Sequence, residues 1–355
     1  MRLILKVLLT CILCAVFCIV LYFIIVLGYS TMSEFNPEKI SPLKIENQSN
    51  KIITDSTEIS FVSWNIGYSG LGKEMDFFYE EGEMVRPTKK LNKKYFAGIA
   101  EFVLENKETD FFLFQEVDLN SKRSFHFNQY ESIGNLLTSH SSVFANNYKS
   151  WYVPIPLTKP MGKVSSGMAT FSKFKPIESN RISTPGSHDW PTRLFMLKRC
   201  LIVSKYKLEN GKNLVVINIH NSAFSDEDEL RKKELALLKD LLLEEYEKGN
   251  SVIAGGDWNQ NPATMKEFDF KKYIGRKNWP IEAGFLPANW NWVYDASLPT
   301  NRRVNIPFDK SKTETTLIDF FVTSPNIEVL EVKTIDLEFE HSDHLPVRIR
   351  VKLVY

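Results

Sequence analysis

From Val7 to Leu27 the chain carries no charge, and beyond about residue 58 short apolar runs alternate with amphipathic stretches. The first run has 21 residues, and at 1.5 Å per residue it is long enough to cross the hydrocarbon core of a bilayer. Residues 29–57 are rich in Asn, Ser, Pro and Lys and read as a tether. Residues 58–355 then form one large domain. Strands are predicted at Ile59–Ile66, Asp110–Asp118, Ser166–Phe174, Cys200–Leu208, Leu214–His220, Ser251–Asn259, Thr315–Ser324 and in the closing HLPVRIRVKLVY. Helices are predicted at Lys90–Glu105 and Asp226–Tyr246. The second has Ser225 as its cap, acids in its first turn, and Leu230, Leu237, Leu238 and Leu241 on one face. Many strands with a few helices imply an α/β layered domain around two sheets.

Charge places the N-terminal segment. Arg2 and Lys6 precede the apolar run, and Glu34, Glu38 and Lys39 are the next charges after it. The positive bias predicts a cytoplasmic N-terminus, residues 1–28 as a retained single-pass anchor, and an extracytoplasmic domain. A cleaved signal peptide is the alternative, but the run is longer than a usual signal core and lacks an A-x-A site. The whole chain has 44 basic and 43 acidic residues, so no global field draws it to nucleic acid or an anionic membrane, although a local groove could. Cys11, Cys14 and Cys18 lie in the apolar run. Cys200 alone is left for the domain, which excludes an intradomain disulfide and a cysteine metal site.

The candidate chemistry lies where the apolar runs stop. Asn65, Glu116, His220, Asp257 with Asn259, and Asp343 with His344 each stand at the end of a strand-like run or directly before one, and Asp319 interrupts TLIDFF. In a layered α/β domain such ends share one edge, where side chains from a rigid scaffold converge. Glu116, Asp257 and Asp343 offer oxygen ligands, with Asn65 and Asn259 beside them; hard oxygen ligands suit Mg²⁺ or Mn²⁺, and Mg²⁺ suits phosphate esters. His220 and His344 can act as general base, general acid or charge stabiliser, and Asp319 can orient one of them. Asp343 and His344 are neighbours and point to opposite faces of a strand, so they serve different tasks. No Ser or Cys sits in a nucleophile elbow, so water attacking a metal-held phosphorus is the economical mechanism.

The pieces SWNI, FQEVD, INIHNSA, GGDWNQ, LIDFFVTS and SDHLPV, in this order between Ile59 and Leu353, resemble the endonuclease/exonuclease/phosphatase superfamily, to which DNase I-like nucleases and neutral sphingomyelinases belong. The resemblance implies a four-layered α/β sandwich and metal-dependent phosphoester hydrolysis. Position by position, it implies that Glu116 and Asp343 hold the metal with Asn65 assisting. Asp257 would align the attacking water and Asn259 contact the phosphate. His344, bonded to Asp319, would be the general base or a phosphate contact, and His220 would match the second histidine of the DNase-like and sphingomyelinase-like members. Asn221-Ser222 departs from the Leu that many members carry after that histidine. The implied activity is a Mg²⁺- or Mn²⁺-dependent phosphodiesterase of endonuclease type. The alternative is a sphingomyelinase-like phospholipase C on lipid headgroups. A catalytically silent binding module is disfavoured, because no expected residue is missing, and no obligate protein partner is evident.

Four segments are expected to form the substrate wall. They bring Tyr152, Lys163 and Ser166; Arg193, Lys198 and Arg199; and Asn301, Arg302 and Arg303, with Arg302 the preferred anion-binding residue. Phe77-Phe78-Tyr79, Trp279, Trp290 and Trp292 fit core and loop packing, or, where exposed, contact with lipid or bases.

Overall fold

The computed structural model describes residues 1–355 except 48, 50, 55–57, 224–227, 269, 271, 277, 278 and 355. Among the described residues the α-helices are α1 (Arg2–Met32), α2 (Lys89–Glu105), α3 (Gln129–Leu136) and α4 (Asp228–Glu247). The strands are β1 (Ile40–Pro42), β2 (Glu58–Asn65), β3 (Phe111–Asp118), β4 (Ser141–Val153), β5 (Gly162–Ser172), β6 (Glu178–Ser183), β7 (Cys200–Lys207) and β8 (Asn213–His220). They continue as β9 (Ser251–Asp257), β10 (Ile274–Gly275), β11 (Asn291–Val293), β12 (Asn301–Arg302), β13 (Glu314–Thr316), β14 (Asp319–Thr323), β15 (Ile327–Thr334) and β16 (Val347–Leu353). One sheet has the order β15-β16-β2-β3-β5-β4, and the other β1-β6-β7-β8-β9-β14-β11. Pairing is antiparallel except for β2–β3 and β8–β9, and a small sheet β10-β13-β12 stands apart.

Strand alternation explains the layers. One face of β2 and β3 sends Phe61, Phe111 and Leu113 inward to Val216, Ile253 and Phe321 of the other sheet. The opposite face sends Val62, Trp64, Phe112 and Phe114 outward against Ile99, Phe102 and Val103 of α2 and Ile133 of α3. The outer face of the second sheet, with Val215, Ile217 and Val252, packs on Leu238 and Leu242 of α4. The layers are therefore helix, sheet, sheet, helix, as expected for the four-layered sandwich. Asn218 ties the two sheets together beneath their shared edge: it accepts from Gln115 Nε2 at 2.8 Å and donates to the carbonyls of Phe114 and Ala169.

Three expectations change. Residues 29–57 are not a free tether: β1 pairs with β6, Leu43 and Ile45 pack under Val143 and Ile202, and Ile53 is buried. The reason is a set of alternating apolar residues hidden among polar ones. Thr315–Ser324 is not one strand, because it breaks at Leu317–Ile318, where Thr300 Oγ1 accepts from the backbone N–H groups of Ile318 and Asp319 at 2.9 Å. On α4, Leu230, Leu237 and Leu241 are only half-buried, and the buried stripe is Arg231, Glu234, Leu238, Leu242 and Glu245. Glu234 is held there by the backbone N–H and hydroxyl of Ser222. The Ser225 cap and the expected helix start at Asp226 lie outside the described residues.

Candidate active site

The polar strand ends meet at one edge of the sandwich. His220 of β8 faces Asp257 of β9, and Asp257 faces Asp319 of β14, so three side chains form a row across adjacent strands. Asn65 and Glu116 come from the ends of β2 and β3 in the other sheet. The turn before β16 delivers Asp343 and His344, with the His344 carbonyl pinned by Trp64 Nε1 at 2.9 Å.

Local backbone devices aim these groups. A register shift in β3 lies between Phe114 and Val117, and there Glu116 adopts φ 54°, which turns its carboxylate out of the ladder. Its side chain is a quarter exposed and is the most open acid of the set. Gly67 has φ +49°, and a Cβ there would meet Asp343 Oδ1 at 2.8 Å. Its bare backbone lets the Gly67 N–H reach Asn65 Oδ1 at 3.0 Å. That bond fixes the amide of Asn65, whose Nδ2 donates to Asp257 Oδ2 at 3.0 Å and to Glu116 at 3.4 Å. Asn65 is thus a spacer between carboxylates, and its oxygen is already engaged. Asn65 stands beside Glu116 and Asp257, where its amide would assist the metal site by orienting the carboxylates.

His344 is held from both sides. Its Nδ1 lies 2.8 Å from Asp319 Oδ2, while its Nε2 lies 3.7 Å from Asp257 Oδ2, 3.9 Å from Asp343 Oδ2 and 3.0 Å from the Asn301 amide. Burial opposes its charge, but Asp319, Asp257 and Asp343 together push its pKa well above the ordinary value. His220 behaves in the opposite way. Burial first, then Arg199 and His344, keep it neutral, and its Nδ1 has no hydrogen-bond partner. Burial pushes Asp257 up to about 6, and burial with the nearby Glu116 pushes Asp343 up to about 7. Asn259, at φ 54°, donates its backbone N–H to Asp257 Oδ1 at 2.9 Å and its Nδ2 to the Asn221 carbonyl at 2.9 Å.

The donors fit a hard divalent ion. The charge of Glu116 helps raise the pKa of Asp343, and a cation between the two carboxylates would relieve that repulsion. Among the described residues, Asp257, Asp319 and His344 also bring ligand atoms within 4.8 Å of one another. An ion there would have to displace the 2.8 Å Asp319–His344 bond, so we read that trio as an acid–imidazole pair beside a second acid.

A cleft of about 620 Å³ opens over the row, lined by Glu116, His220, Asp257, Asn259, Asp343 and His344. The wall differs from the expected one. Arg302 does not reach the cleft. It is fully buried, and its guanidinium donates to the carbonyls of Leu71, Gly72, Met75, Arg303 and Ile306. Its neighbours Asn301 and Arg303 line the cleft instead, as alternation along an extended segment requires. Ser166 and Arg199 line it too, but Arg193 and Lys198 pair with Glu34, and Tyr152 bonds to Tyr22. Lys163 is exposed and does not line the cleft. Phe77, Tyr79 and Trp279 line the cleft, whereas Phe78, Trp290 and Trp292 pack in the interior clusters. Two cleft cations were not foreseen. Arg123 is buried on Asp118 at 3.0 Å and stacks over Tyr68, and Arg276 stands half-buried across the cleft. Neither lies near an apolar pattern that marks it.

The architecture and the converging strand ends define a DNase I-like fold. Residues 62–344 match the family model described as Endonuclease/Exonuclease/phosphatase family, and the chain belongs to that family. Its proteins are generally hydrolytic on phosphoester bonds and typically use divalent metals. No curated protein matches the chain in sequence. Among solved structures, an endonuclease/exonuclease/phosphatase from Beutenbergia cavernae is similar at TM-score 0.54 and 15% identity, over 84% of this chain and 72% of that one. The human Nocturnin catalytic domain with bound sulfate aligns at TM-score 0.53 and 17% identity, over 88% and 98%. TDP2 of D. rerio, complexed with single-strand DNA product, aligns at TM-score 0.54 and 14% identity, over 83% and 99%. At these identities the likeness is one of fold.

Proposed function

We propose that this protein is a membrane-anchored, divalent-metal-dependent phosphodiesterase of endonuclease type, with its catalytic domain outside the cytoplasm. The observation that carries the reading is His344. Its ring is fixed by Asp319 on one nitrogen and presents the other to Asp257, Asp343 and the cleft. Glu116 and Asp343 would hold Mg²⁺ or Mn²⁺, and such an ion, when bound, stabilises negative charge developing on phosphoryl oxygens. Asp257 accepts a proton from the attacking water as the new P–O bond forms and the ester P–O bond opposite it breaks, and the leaving oxygen departs as an alkoxide that solvent protonates; burial raises the basicity of Asp257 toward neutral pH. The charged His344 ring faces a phosphoryl oxygen and gains strength as that oxygen gains charge. His220 is neutral and offers a second imidazole to the phosphate. Asn259 holds Asp257 through its backbone N–H and has one amide hydrogen left for the substrate. Arg199, Arg276 and Arg303 supply the cationic wall. The sandwich relatives that bind DNA or sulfate support a nucleic-acid-like or phosphate ligand.

A lipid phosphodiester is the second reading, supported by an N-terminal helix long and apolar enough to span a membrane. The test is to give the reconstituted chain supercoiled plasmid and phospholipid vesicles in parallel, with Mg²⁺ and with EDTA. Metal-dependent nicking that disappears in Asp257→Asn supports the first reading. Headgroup release without nicking replaces it with the second, and no hydrolysis of either would overturn both.

A further inference from the structure

The N-terminal helix does not leave the domain freely. Trp151 Nε1 donates to Ser30 Oγ at 2.8 Å and its ring packs edge-on to Tyr29. The Tyr22 and Tyr152 hydroxyls meet at 3.3 Å, and Trp190 Nε1 donates to Thr31 Oγ1 at 3.3 Å. Val26 and Ser30 are buried by this docking, and Glu34 closes it with Lys198 at 2.8 Å. Two segments of the domain therefore grip the last turns of the helix: the end of β4, and the stretch before β7.

The register of the helix in a bilayer then fixes the depth of those segments. Lys6 is the last charge before the apolar run, and no charge follows until Glu34. A hydrocarbon core of about 30 Å, entered at Val7, is crossed by about 20 residues and is left near Val26. Tyr22 is then inside the boundary, and Ser30 just beyond it. Whatever touches both lies at the level of the headgroups and outer acyl carbons.

What the domain presents there is apolar. Trp190 is 52% exposed, Ile155 47% and Leu157 67%, and Trp151 keeps an exposed edge beside the helix. From Trp151 to Lys163 the sequence WYVPIPLTKPMGK contains no acid, and Lys159 and Lys163 are exposed. Tryptophans at the boundary, aliphatic tips and flanking lysines form the composition of an interfacial contact. The surface is continuous with the helix, so its occupant is the bilayer that the helix crosses.

The same two segments reach the cleft. Tyr148 of β4 and Met161 after it line the wall, as do Met196, Leu197 and Arg199 after Trp190. Trp151 lies three residues along the strand from Tyr148, about 10 Å. We propose that the rim formed by Trp151, Ile155, Leu157 and Trp190 is seated in the headgroup–acyl boundary. This is a second membrane contact of the catalytic domain, and it holds the cleft about one strand turn from the lipid headgroups. The inference rests on the membrane anchoring proposed above.

The test uses the full chain in nanodiscs with Cys11, Cys14 and Cys18 replaced by alanine; Cys200 is buried. An environment-sensitive fluorophore is placed on Leu157→Cys, on Val16→Cys within the helix, and on Ile177→Cys. Ile177 is exposed and lies beyond the far end of β5 from the rim. The expected result is a blue-shifted emission at 157, quenched by nitroxides carried near the lipid headgroup, with none of this at 177 and deep-nitroxide quenching at 16. Ile155→Cys should repeat the behaviour of 157. Quenching at 16 with 157 indistinguishable from 177 would leave the anchor standing and overturn the rim. No quenching at 16 would remove the anchor and the rim with it.

Discussion

Asp319→Asn isolates the most exacting contact of the site. Asp319 is fully buried, its Oδ2 takes the Nδ1 proton of His344 at 2.8 Å, and its Oδ1 has no partner. The substitution keeps shape and removes charge. An amide oxygen still accepts the Nδ1 proton, but as a neutral hydrogen bond in place of a charge-assisted one, a difference of about 1–1.5 kcal/mol. Asp319 is the leading group that raises the His344 pKa against burial, so its neutralisation lowers the pKa of the ring. The loss falls on the transition state, where that charge meets a growing oxyanion, so kcat should drop about 5- to 13-fold with KM little changed. Stability should fall as well, because the substitution breaks a buried ion pair and leaves an amide N–H₂ where Oδ1 has no partner. The assay is steady-state diester hydrolysis from pH 6 to 9, beside a denaturation curve. The mutant should lose the fall in rate at high pH that deprotonation of His344 produces in the parent. An unchanged kcat and pH profile in a folded mutant would refute the positioning role.

Three further outcomes follow from the geometry. Arg302→Met strips the donors from three buried carbonyls at Leu71, Gly72 and Met75 and from those of Arg303 and Ile306, and should cost about 3–5 kcal/mol in chemical denaturation, whereas Arg303→Ala, on an exposed pair, should cost under about 1 kcal/mol. Gly67→Ala places a Cβ against the Asp343 carboxylate in a left-handed turn and should weaken Mg²⁺ binding by isothermal calorimetry more than it lowers the melting temperature. The metal-free protein should gain stability as pH falls from 8 to about 6.5. Asp343, raised to about 7, and Asp257, raised to about 6, cost stability when ionised above their unfolded values, and the raised His344 adds stability as it protonates. Below about pH 6.5 the buried neutral His220 opposes the trend, and added Mg²⁺ should flatten it; a melting temperature that rises with pH in EDTA would contradict the assignment of the two acids.

The site was legible because polar residues closing apolar runs share one edge in any layered α/β fold, and six of them do so here. Directions within the site were not legible. Arg302 lies between Asn301 and Arg303, and only the alternation of that short segment decides that the outer two face the cleft while Arg302 serves the carbonyls behind it. Asn65 has the right chemistry for its strand end, but the bonds that orient its amide, from the Gly67 N–H and to Asp257, join residues far apart in the chain or in a special turn. β4 was missed because SSVFANNYKSWYV carries polar residues on both faces, and its neighbours bury Asn147 as well as Val143. The docked segment before β2 escaped for the same reason: its few apolar residues pack singly between polar ones.

The most direct measurement is hydrolysis of a small activated phosphodiester by the reconstituted chain, followed with Mg²⁺, with EDTA, and in Asp257→Asn. Turnover that requires the metal and falls by about 10²-fold or more in the mutant is the predicted result. Turnover that is indifferent to EDTA, or undiminished in Asp257→Asn, would contradict the account.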